Sequence, residues 1–84
     1  MEKAFTIKSK VFRFSDDDVK KAASGMISGQ VDRTKFYAKV QGKPYPARQL
    51  VIEMVRKKGE TVPDLITYQA IRILRALSFE IIES

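Results

Sequence analysis

"KFYAKVQGKPYPARQLV", residues 35–51, carries the passage from strand to turn to helix on which the fold depends. Its first part alternates. Phe36, Ala38 and Val40 fall on one side of an extended chain; Tyr37, Lys39 and Gln41 fall on the other. Gln41-Gly42 turns the chain, and Lys43-Pro44-Tyr45 makes a short return. Proline has no N–H for a ladder, so Pro44 keeps that return arm out of a sheet centre. Pro46 suits the first position of a helix. From there the apolar period lengthens, and Ala47, Leu50, Val51, Met54 and Val55 make one stripe. Arg56, Lys57 and Lys58 place positive charge at the carbonyl end of that helix, and Gly59 can close it. The segment predicts a hairpin that feeds a helix.

On the N-terminal side, "AFTIK" alternates with Phe5 and Ile7 together, and "VFRF" sets Phe12 and Phe14 together across Arg13. The phase changes at Ser9-Lys10, so the segment is one strand with a bulge or two short strands. Ser15 before "DDD" marks a helix start: Ser15 caps, and Asp18 stands where a capping box wants a carboxylate. Val19, Ala22, Ala23, Met26 and Ile27 follow as a core stripe. Gly25 weakens the interior of this helix, and Gly29 ends it. The three adjacent aspartates imitate a metal site, but successive helical side chains diverge, and capping explains them better.

On the C-terminal side, "ETVPDLIT" is a loop into a further helix, capped by Thr61 or Thr67. Ile66, Ala70, Ile73, Leu74 and Leu77 form its buried side. Tyr68, Arg72 and Arg75 share the opposite face with Gln69 beside them. "FEII" alternates as a last short strand. The order is then β-α-β-β-α-α-β, a small single α+β domain over residues 1–84, and the strands at both ends are expected to share one sheet with the hairpin.

Composition narrows the chemistry. The chain has 84 residues, no cysteine and no histidine. That excludes disulfides, thiolate metal sites and histidine-based nucleophilic catalysis within the chain. No metal or cofactor is expected. "QGKP" lacks the glycine run and following Ser/Thr of a phosphate loop, and no spacing sets two carboxylates beside a nucleophile. No apolar run reaches the roughly 20 residues of a membrane span, and the start has no signal-peptide core. The expectation is a soluble, cytoplasmic, non-enzymatic protein. Sixteen Lys+Arg against ten Asp+Glu give +6, a balance that favours polyanions through counterion release.

Three groups of residues can carry such binding. The helices 46–58 and 66–77 form a helix-turn-helix-like pair, whose second helix would show Tyr68, Gln69, Arg72 and Arg75 to base edges. The hairpin 36–45 would act as a wing through Lys39, Lys43 and Tyr45. Arg48, Arg56, Lys57 and Lys58 would hold phosphates, although the helix end alone accounts for 56–58. Tyr37, Tyr45 and Tyr68 are candidates for stacking on single-stranded bases.

"FYAKVQGKPYPARQLV" followed by "LITYQAIRILRALSFEII" resembles a small module of bacterial restriction-type proteins that accompanies HNH nuclease or modified-base-binding domains. The residues that match are Gly42, Lys43, Tyr45, Pro46, Arg48, Ala70, Leu74, Leu77 and Phe79, over roughly half the chain. Ser78 departs from the pattern, which has glycine there. The resemblance implies a nucleic-acid-associated accessory module; no nuclease domain follows, so any cutting would belong to a partner. The reading is thus a nucleic-acid-binding module, for DNA rather than RNA, with no membrane association. The alternative is a module for a protein partner or for homo-oligomerisation.

Overall fold

The change of phase at Ser9-Lys10 is a hairpin. Ser9 has φ 69°, in the left-handed region that tight turns use, and the strands on either side pair antiparallel with Ile7 opposite Lys10. The computed structural model describes residues 2–7, 9–26, 35–62 and 65–83. It contains β1 (Glu2–Ile7), β2 (Lys10–Ser15), α1 (Asp16–Ser24), β3 (Phe36–Val40), β4 (Lys43–Pro46), α2 (Ala47–Lys57), α3 (Thr67–Ala76) and β5 (Glu80–Glu83). This is an α+β fold in the expected order, with the N-terminal segment resolved into two strands.

The expectation that both terminal strands join one sheet is corrected. β1 and β2 form a sheet of their own, and β4-β3-β5 form a second. β1 finds its partner across a connection of two residues, the pairing with the least loop entropy to lose. β5 pairs antiparallel with β3, Tyr37 opposite Ile82 and Lys39 opposite Glu80. β4 lies at the other edge of that sheet and carries Pro44 and Pro46, as the sequence requires. Gln41 (φ 52°) and Gly42 (φ 81°) both take positive φ, the requirement of the primed turns that match strand twist.

α1 opens on a full capping box. The Ser15 hydroxyl accepts from the Asp18 N–H at 3.4 Å, and the Ser15 N–H donates to Asp18 Oδ2 at 2.8 Å. The helix ends at Ser24, with Gly25 as its C-cap, so Gly25 terminates it rather than weakening its interior. Ile27 and Gly29 lie outside the described residues. α2 begins at Ala47, one residue later than Pro46 suggested; Pro46 is its N-cap and still belongs to β4. It ends in a Schellman motif: Gly59 (φ 83°) donates to Arg56 and Glu60 donates to Val55.

α3 begins at Thr67 and has no side-chain cap, so neither Thr61 nor Thr67 caps it. Ile66 is the N-cap in extended geometry and is 56% exposed, not part of the buried stripe; Ile71 is buried instead. An extended residue does not follow the helical phase. The connection between α2 and α3 covers residues 58–66, longer than the roughly three or four residues of a helix-turn-helix turn. The core gathers Val19 and Ala22 of α1, Leu50, Val51, Met54 and Val55 of α2, Leu74 of α3, Ala38 and Val40 of β3, and Phe12 and Phe14 of β2. Phe14 stacks with Phe12 at 5.8 Å and with Phe5 at 6.2 Å. No helix among the described residues is long and apolar enough to cross a membrane.

Candidate nucleic-acid interface

α3 buries Ala70, Ile71, Ile73 and Leu74. The helical period therefore turns Tyr68, Arg72 and Arg75 outward, with Gln69 half-buried at their side. Tyr68 is 68% exposed. The helix contains no acidic residue. Arg72 and Arg75 form no ion pair among the described residues. Both arginines are exposed to solvent. The helix ends in a second Schellman motif, in which Ser78 donates to Arg75 and Phe79 donates to Leu74. Ser78 stands at φ 72°, a left-handed position that glycine takes at lower cost.

A groove of about 540 Å³ runs between this face and β1. Gln69, Arg72 and Arg75 line one wall, and Ala4, Phe5, Thr6 and Ile7 line the other. The hairpin that lines the groove with the α3 arginines is therefore β1–β2, while the sequence reading names the hairpin 36–45 as a wing on the phosphates. Which hairpin packs near a helix is set by contacts far apart in the chain, and no local pattern records them.

The other predicted cations divide by what they touch. Arg56 pairs with Glu53 at 2.9 Å, and Lys58 with Asp18 at 3.6 Å. Outside the predicted set, Lys10 pairs with Glu60 at 2.7 Å and Arg13 with Glu2 at 3.5 Å. Arg48 Nε donates to the Leu65 carbonyl at 2.6 Å, so it fastens the loop before α3 to the start of α2. Lys39 is exposed but faces Glu80 across the strand pair. Lys43 and Lys57 are exposed without an ion pair among the described residues.

Two tyrosines leave the candidate set. Tyr45 is 8% exposed and belongs to the core, because its side chain projects from the face of the sheet that the helices cover. Tyr37 is 2% exposed on the opposite face. Neither offers a ring to a base. Among the described residues, no three acidic side chains come together as metal ligands would. The chain matches no family model, no curated protein and no solved structure.

Proposed function

We propose that the chain is a non-enzymatic nucleic-acid-binding module for double-stranded DNA, with the cytoplasm as its place of action. One observation carries the reading: α3 offers Arg72 and Arg75 without carboxylate partners among the described residues, on an acid-free helix, next to exposed Tyr68. Arginine can fork onto the two acceptors of guanine, and glutamine can pair with both groups of adenine in the major groove. Gln69, Arg72 and Arg75 are thus assigned to base edges, with Tyr68 at the rim.

Lys39, Lys43 and Lys57 are assigned to phosphates, where they add affinity but no sequence information. Arg56 and Lys58 become secondary contacts, since each already shares its charge with a carboxylate. Arg48 is assigned to the fold. The resemblance to restriction-associated modules supports the same direction.

Selection from a random-sequence duplex pool tests this. The parent protein enriches a short motif, and the Arg72→Ala/Arg75→Ala variant retains only unselective binding. Enrichment of the same motif by both proteins would remove α3 from the site.

A further inference from the structure

Among the described residues β1 has one neighbour, β2, and its other edge is unpaired. That edge forms the wall of the groove beside α3. In a strand, Ala4 and Thr6 point to one face of the hairpin while Phe5 and Ile7 point to the other. All four line the groove, so what it presents is the edge of the strand, not one of its faces. Ile7 stands opposite Lys10 across a two-residue connection. Such a closing pair exchanges both ladder hydrogen bonds, and alternation then directs the N–H and C=O of Ala4 and Thr6 to the open side.

The free edges of the other sheet are guarded, whereas β1 carries its charges, Glu2 and Lys3, outside the Ala4–Ile7 stretch that lines the groove. β4 carries two prolines, and β5 carries a glutamate at each end; both devices resist strand addition. β1 has no proline, and the groove lining contains two arginines and no carboxylate. Arg72 and Arg75 are three residues apart on a helix, about 5–6 Å between Cβ atoms. Carboxylates on alternate residues of an extended chain, roughly 6.6 Å apart, come within reach of both. The intervening side chains would lie along the sheet face that holds Ala4, Thr6 and Val11, where Val11 is 68% exposed.

We propose that the edge of β1 accepts an extended segment of a partner protein as an added strand, and that the segment alternates acidic and apolar residues. The Ala4 and Thr6 backbone groups supply the ladder, and Arg72 and Arg75 supply the charge selection. The proposal shares Arg72 and Arg75 with the DNA reading, so the two ligands would exclude each other there, and it is told apart by its need for the β1 backbone.

The test uses a fluorescein-labelled hexapeptide of alternating glutamate and valine, titrated with the protein and read by anisotropy. Three comparisons accompany it: an alternating lysine–valine peptide, the same acidic peptide with N-methyl groups on alternate amides, and the Arg72→Ala/Arg75→Ala variant. The acidic peptide binds, and each of the three changes weakens binding at least tenfold. Amide resonances of Ala4 and Thr6 shift on binding. Equal binding of the N-methylated peptide would refute strand addition, and equal binding of the lysine peptide or by the arginine variant would refute charge selection. A groove that takes single-stranded oligothymidine but no acidic peptide would overturn the proposal in favour of nucleic acid.

Discussion

Arg48 and Leu65 tie together two elements that are separated in the chain. The guanidinium Nε at the start of α2 donates to the Leu65 carbonyl, 2.6 Å away, just ahead of α3. This bond gives Arg48 a task in the fold, although the residue type and position suit a phosphate contact equally well. Arg48→Ala should lower stability by about 1–2 kcal/mol, the range for a hydrogen bond from a charged donor at a partly solvated site. Urea denaturation measures the loss. Duplex affinity of the folded variant should stay near that of the parent; a variant of unchanged stability and weakened binding would return Arg48 to the interface.

Tyr45 makes the same distinction from the other side. Its ring is in the core, so Tyr45→Phe should fold and bind as the parent does. Tyr45→Ala should lose about 3–5 kcal/mol through the cavity left behind, a large part of the stability of a domain this small. Loss of binding in Tyr45→Phe with stability intact would place the hydroxyl at the ligand.

Ser78 and Gly59 occupy equivalent αL positions, φ 72° and 83°, at the ends of α3 and α2. Serine carries a Cβ penalty there that glycine does not. Ser78→Gly should therefore raise stability by about 0.5–1 kcal/mol, and Gly59→Ala should lower it by about 1 kcal/mol. Thermal unfolding of both variants tests the opposite signs. A destabilised Ser78→Gly would mean that the serine hydroxyl contributes more than the backbone strain costs.

These cases show where local pattern suffices. Ser15 and Asp18 form the capping box that their spacing announces, and the stripe Ala47, Leu50, Val51, Met54, Val55 is buried as its period requires. Caps, stripes and turns depend on near neighbours, so the sequence displays them. Ile66 and Tyr45 were misread because burial depends on where a helix starts and on which sheet face the helices cover. The pairing of β5 with β3 is non-local, as is the placement of β1 beside Arg72. The exposed side of α3 was legible from its period; that its arginines stand apart from every described carboxylate, while Arg56 and Lys58 do not, required three dimensions.

That division of cations is the central claim, and two charge-matched variants test it most directly. Arg72→Ala/Arg75→Ala and Arg56→Ala/Lys58→Ala each remove two positive charges from +6 and leave +4. The measurement is duplex affinity of both variants and the parent across a salt series, on the duplex that the parent prefers. The account predicts a loss of about 30-fold or more for the α3 variant, from two arginine–base contacts of at least ~1 kcal/mol each, and no more than about threefold for the other, whose charges are already shared. Equal losses in the two variants, converging as salt rises, would mean that binding follows net charge alone and that α3 reads nothing.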